Sequence, residues 1–151
     1  MKIFDRGTLT EVVLDHLRTG VGGKNLPLGD GVAPAAGGWI GGQPGEGAFV
    51  PYLVLMSSPA SPQAEAIGNR FSRWAVPYQI RSFGASRQQA DWSLDLARNT
   101  LVTLIGEYYM LPARWGISNM ELLSIGGATR NDSTNPPYFE STDSVSLWLE
   151  C

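Results

Sequence analysis

Between Trp74 and Ile105 the spacing of apolar positions changes once, from two residues to 3.6, and the change predicts a strand feeding a long helix. Trp74, Val76, Tyr78 and Ile80 alternate with Ala75, Pro77, Gln79 and Arg81, as in a strand with one face in a core. A tight turn at Gly84 follows, and Ser86 with Gln89 has the spacing of a capping box, so the helix starts at Ser86. Ala90, Leu94, Ala97, Leu101, Leu104 and Ile105 fall on one stripe about 100° wide, which is a core-facing surface. Gly106 ends the helix after about 30 Å. Arg87, Asp91, Asp95 and Arg98 lie beside the stripe in i,i+3 and i,i+4 reach, so that side is wet. Trp92 and Leu96 fall roughly opposite the stripe, where an isolated domain would carry charge. Either a loop or the C-terminal segment of the same chain covers them, or they form a subunit or partner contact.

The same reading gives the other elements. Residues 8 to 18 predict a helix with Thr8 and Glu11 in capping-box spacing, Leu9, Val12, Val13 and Leu17 on one face, and Gly20 as its stop. His16 sits at the edge of that face as a packing residue. Phe49 to Met56 is a nearly continuous apolar strand with Pro51 near its start. Residues 57 to 71 form an extended connection, with Arg70 and Arg73 flanking Phe71 in a solvated turn. Tyr108 to Pro112 is an apolar connection. Asn119 to Ile125 reads as a third strand, Thr129 to Pro137 as a polar loop, and Ser144 to Leu149 as a final alternating strand. The expected fold class is therefore α+β: one domain over residues 1–151, a mostly antiparallel sheet of about four strands, and two helices packed on one face.

Composition alters this picture in one place. Most of the chain's 18 glycines fall between Gly20 and Ala48, too irregular a stretch for a helix or a central strand. A long Gly-rich loop of this size is functional, disordered, or ordered by a partner. Within it Trp39 and Ile40 are the one strongly apolar pair, suited to anchoring the loop on a neighbouring surface. Gly20-Val21-Gly22-Gly23-Lys24 lacks the GxxxxGK[ST] spacing of a phosphate loop and follows a helix, not a strand.

The remaining features mostly exclude. A net charge of −3 and few basic residues argue against non-specific binding of nucleic acid. No apolar run approaches the ~20 residues of a membrane span, so no membrane partner is expected, and MKIFDRGTLTE lacks the apolar core of a secretory signal. Cys151 is the single cysteine, which removes an intramolecular disulfide and a cysteine-based metal cluster. His16 is the single histidine, and no HExxH, GxSxG or Cys/His arrangement occurs. Asp91 and Asp95 share a helix face, but each has an Arg at helical spacing and reads as a solvated ion pair rather than an acid/base pair. No catalytic, cofactor-binding or metal-ligating set emerges, and a structural protein is expected in preference to an enzyme.

Residues 49 to 105 are specific as a set. A strand with Pro51-Tyr52, an irregular connection, a strand with Tyr78-Gln79, Gly84, then Ser86-Arg87-Gln88-Gln89-Ala90-Asp91-Trp92 opening a long helix resembles the tail terminator proteins of bacteriophages with long, non-contractile tails, particularly those infecting actinobacteria. Pro136-Pro137-Tyr138 ahead of the terminal strand is similar to the end of such chains. The family's acidic residue in the helix-opening motif is Gln88 here, and the 20–48 loop is longer and richer in glycine. The resemblance implies a virion protein, assembled in the host cytoplasm, that forms a homohexameric ring at the head-proximal end of the tail. Its implied partners are its own copies, the tail tube protein and the head–tail connector or stopper, with DNA only as cargo through the lumen. Trp92, Leu96, Trp39 and Ile40 are the expected interface residues, because a closed ring joins unlike patches. The alternatives are another connector or stopper ring of the neck, or a small ligand-binding domain or enzyme with the Gly-rich loop as a lid.

Overall fold

A computed structural model describes residues 5–22, 26–62, 73–103 and 116–150, with the backbone alone at 21 and 22. Lys24, Arg70, Phe71, the Tyr108–Pro112 connection, the expected helix end at Leu104–Gly106, and Cys151 lie outside the described residues. Among the described residues two helices, α1 (Arg6–Gly22) and α2 (Arg87–Val102), accompany nine strands. The strands are β1 (Leu28–Asp30), β2 (Gly38–Trp39), β3 (Phe49–Val50), β4 (Tyr52–Ser57), β5 (Ser61–Pro62), β6 (Arg73–Gly84), β7 (Gly116–Ser124), β8 (Thr129–Asn131) and β9 (Tyr138–Glu150).

The expectation of a four-stranded sheet is corrected. The main sheet has seven strands in the order β1-β4-β6-β9-β7, with β5 added to β6 and β8 to β9, and β2 with β3 forms a separate two-stranded sheet. The strands missed by periodicity are two or three residues long, too short to show a period, and three of them flank or interrupt Gly- and Pro-rich stretches. β1 pairs in parallel with β4, and the other ladders are antiparallel. The expected strand from Phe49 to Met56 is divided at Pro51, so β3 joins the small sheet and β4 the large one.

The 20–48 segment is likewise not a structureless loop. It contributes β1 and β2, and β2–β3 is a hairpin closed by Ile40 N to Ala48 O at 3.0 Å and Gly41 N to Glu46 O at 2.9 Å. Glycines at positive φ (Gly42, Gly45 and Gly47) make its tight tip possible without a partner.

β6 and β9 are the spine. They pair over twelve consecutive residues, from Arg73↔Glu150 to Gly84↔Phe139. One face of β6 buries Val76, Tyr78 and Ile80 against Leu53, Leu55, Val145 and Leu147 of the flanking strands. Both helices lie over this face: Ser82 Oγ on it donates to Ala90 O in α2, and Thr10 and Arg6 of α1 bond the Tyr78 hydroxyl. Pro77 interrupts neither neighbour. On the β9 side it sits opposite Ser146, and its carbonyl faces the gap between β4 and β5, accepting from Ser58 N and Arg6 Nη2. The missing N–H therefore falls where no ladder bond is made.

The caps differ in quality. At α2, Ser86 Oγ accepts from Gln89 N, while Gln89 Oε1 reaches back to the Ala85 amide. At α1 the expected Thr8–Glu11 box is corrected: Asp5 Oδ1 accepts from Gly7 N and Thr8 N, and the helix continues through Gly20 to Gly22. The Thr8 hydroxyl, bonded to Asp5 Oδ2 at 2.9 Å, is the main reason that the Asp5 carboxyl titrates below its usual range.

Candidate functional site

α2 crosses the sheet with Ala90, Leu94, Ala97 and Leu101 inward, which leaves Trp92 45% exposed on its outer side. Leu96, one turn on, does not share that environment. α1 lies against this side of α2 and half-buries Leu96, which packs onto the core. Leu96 instead lines a depression between the helices with His16, Gly20 and Thr100. The expected Trp92–Leu96 patch is thus split, because a helix rather than a loop or the C-terminal segment covers half of it.

Trp92 faces different neighbours. A groove of about 620 Å³ runs between the first turns of α2 and the 125–128 loop, lined by Arg87, Gln88, Asp91, Trp92, Gly127 and Ala128. Ile125, 58% exposed, stands at its continuation beside Asp95 and Arg98. Leu122 and Leu123, just before it on β7, are also exposed. The one signal for this apolar rim in the sequence is the run Leu122-Leu123-Ser124-Ile125, which breaks strand alternation.

The groove wall is fixed from beneath by a buried ion pair. Asp143, fully buried on β9, accepts from Arg98 Nε at 2.8 Å and Nη2 at 3.1 Å. The same carboxylate accepts from Gly126 N at 2.9 Å, tying the loop to helix and sheet. Arg98 also reaches the exposed Asp95. Hydrogen bonding to Asp143 leads the causes that hold the Arg98 guanidinium above its ordinary pKa, so it stays charged. Periodicity identified the Asp95–Arg98 contact but not the buried carboxylate that Arg98 mainly serves.

Trp39 and Ile40 occupy the other face. Trp39 packs edge-on against Phe49 (5.2 Å), Phe49 lies over Tyr52 (6.2 Å), and Tyr52 stacks on Phe83 (4.7 Å), which approaches Tyr138. Phe83 alternates with Ser82, so this row runs on the sheet face turned away from the helices. Burial in the row is the main cause that pushes the Tyr52 phenol up. The rings spend their faces on one another and serve to seat the hairpin. Ile40 at the hairpin's end is 69% exposed.

His16 also has a role that helical periodicity did not reveal. Its Nε2 lies 2.9 Å from Thr100 O and 2.6 Å from Thr103 Oγ1, so it bonds the last turn of α2 and fastens the two helices together. No group of three or more His, Cys, Asp or Glu among the described residues is placed to hold a metal ion. No helix among them is long and apolar enough to cross a membrane. Among the described residues the exposed large apolar side chains include Trp92 and Ile125 at the groove and Ile40 on the hairpin, on opposite faces of one sheet, with Val32 and Val102 exposed elsewhere. The chain matches no protein-family model and no curated protein sequence.

Proposed function

We propose that this protein is a structural virion subunit of the tail-terminator kind. Copies of it form a homohexameric ring that caps the head-proximal end of the tail tube, stops tube polymerisation and receives the head-side connector. The observation that carries the reading is the pair of unlike exposed apolar surfaces on opposite faces, Trp92 with Ile125 and Ile40 on its hairpin. A head-to-tail ring requires two such surfaces, since each subunit must offer a neighbour something different from what it receives. The resemblance of residues 49 to 105 to tail terminators supplies the particular ring.

Electron microscopy of the purified protein, alone and mixed with preformed tail tubes, tests this. Sixfold rings seated at one end of the tubes are the expected result. Rings that ignore tubes but bind portal complexes would move the protein to another connector of the neck. A chain that stays monomeric and is saturably stabilised by a small ligand would refute the assembly reading altogether.

A further inference from the structure

We infer that the free edge of β7 takes a further strand, an extended segment of a different protein that carries apolar residues and a lysine or arginine. The interaction is additional to the ring contact and does not rest on it.

The main chain of β7 is the first ground. Among the described residues β7 is the last strand of the main sheet, with β9 on one side and no strand on the other. Ser118 Oγ donates to Trp148 O at 3.2 Å, so the main chain of Trp148 is turned toward β7. Asn119 and Glu121, opposite Trp148 and Ser146, therefore face β9, and alternation turns the N–H and C=O groups of Met120 and Leu122 outward. The Met120 amide finds its acceptor in its own neighbour, Asn119 Oδ1 at 2.8 Å. A side-chain oxygen stands where the carbonyl of another strand would. Register shifts between Ile117 and Asn119 and between Leu122 and Ser124 bracket this run and leave it regular.

The contrast between the two edges of the sheet is the second. β1 is three residues long, lies between Pro27 and Pro34 and ends on the exposed Asp30, all features that keep a second strand off an edge. β7 runs for nine residues without a proline, lysine or arginine. Along it Leu122 is 39% exposed and Leu123, at the second register shift, 53%. Unpaired main-chain groups beside exposed apolar side chains are matched by an extended peptide. The β1 edge of a second copy, short and acidic, does not supply one.

Charge selects among extended peptides. Glu121 is the one charged residue of β7, is exposed, and has no ion pair among the described residues. Opposite charges on adjacent strands stabilise the pairing and like charges oppose it, so the incoming strand places a lysine or arginine beside Glu121.

Hydrogen exchange of the Met120 and Leu122 amides, read by NMR on the full chain, tests the inference. The probe is a blocked octapeptide that alternates valine with lysine and threonine. At saturation both amides are expected to exchange at least about tenfold more slowly. The same peptide N-methylated along its bonding edge should leave them unchanged. Replacing the lysines by glutamate should weaken binding about threefold, and Glu121→Lys, checked for folding by circular dichroism, should reverse that order. Amides that exchange as slowly in the free protein as those of β6 would overturn the inference, because the chain itself or another copy would then cover the edge. Amides that stay fast at millimolar peptide, or an equal response to the lysine and glutamate peptides, would overturn it as well. A chain that never forms rings can still pass this test, so its failure and that of the ring reading are distinguishable.

Discussion

Replacing Arg98 with Met isolates the interaction on which the helix–sheet junction and the groove both depend. The Met side chain keeps most of the aliphatic stem and removes the guanidinium. Asp143 then loses two charge-assisted bonds, of 2.8 and 3.1 Å, and keeps only the Gly126 amide. The carboxylate is 1% exposed beneath the guanidinium, so the lost bonds are ones made away from solvent. Removing one partner of a buried pair costs about 3–5 kcal/mol, mostly the penalty for the charge left behind. In a chain of this length that is a fall in Tm on the order of 10 °C.

Two controls sharpen the magnitude. Asp95 is a mainly exposed partner of the same guanidinium, with a side chain 61% exposed, so Asp95→Ala is expected to cost less than about 1 kcal/mol. The double variant Arg98→Met with Asp143→Leu removes both charges and leaves only the Gly126 amide without its acceptor, a loss of about 1–3 kcal/mol. It should therefore be more stable than Arg98→Met alone. Urea denaturation with m-values compared across the set is the assay. If Arg98→Met costs no more than Asp95→Ala, or the double variant is worse than the single, the pair does not hold the junction and the reasoning is refuted.

Other expectations come from neighbouring contacts. Gly126→Ala would bring a Cβ within 2.1 Å of the Thr142 carbonyl oxygen, a backbone atom that cannot turn aside, so a loss of about 1–3 kcal/mol in thermal denaturation is expected. His16→Ala removes the link from α1 to the Thr100 carbonyl and the Thr103 hydroxyl and is expected to cost about 1 kcal/mol and to speed hydrogen exchange in the last turn of α2. Asp5 has a folded pKa depressed below 3.8, chiefly by Thr8, so its contribution is full above the unfolded value and is lost as pH falls through the folded one. Asp5→Asn should therefore flatten the acid limb of stability against pH, and an unchanged limb would remove Asp5 from that role. Trp92→Ser should remain folded, losing at most about 2 kcal/mol from the buried half of the ring, while its assembly is abolished in sedimentation velocity; an assembled variant would take Trp92 out of the interface.

What could be read from the sequence was what is local and periodic. The period-two run of β6 and the inward stripe of α2 announce themselves, because each repeats over enough residues to be unambiguous. Ser86 and Gln89 cap α2 three residues apart for the same reason. By contrast, β1, β2 and β5 repeat nothing: they are strands because a neighbour pairs with them. Leu96 looked exposed on the wheel, since a wheel has no knowledge of a second helix. The 20–48 segment misled in the opposite way. Gly42, Gly45 and Gly47, read as looseness, are at positive φ where the hairpin needs them.

Arg98 shows where such reading ends and what the remainder contains. Asp95 is three residues away, so the spacing paired them; Asp143 is 45 residues away, and nothing in the spacing pointed to it. Yet the distant partner is the buried one, and its second bond holds the Gly126 loop that forms one wall of the Trp92 groove. The groove is thus built by a contact between helix, sheet and loop, while its exposed aromatic, Trp92, is carried by the helix alone. That division makes a separable expectation. Trp92→Ser should disturb assembly at a cost of at most about 2 kcal/mol in stability, whereas Arg98→Met should disturb both, because it removes the support and not the contact. If the two variants lost assembly and stability in the same proportion, the groove would be a consequence of the fold's packing and not a surface for a neighbouring copy.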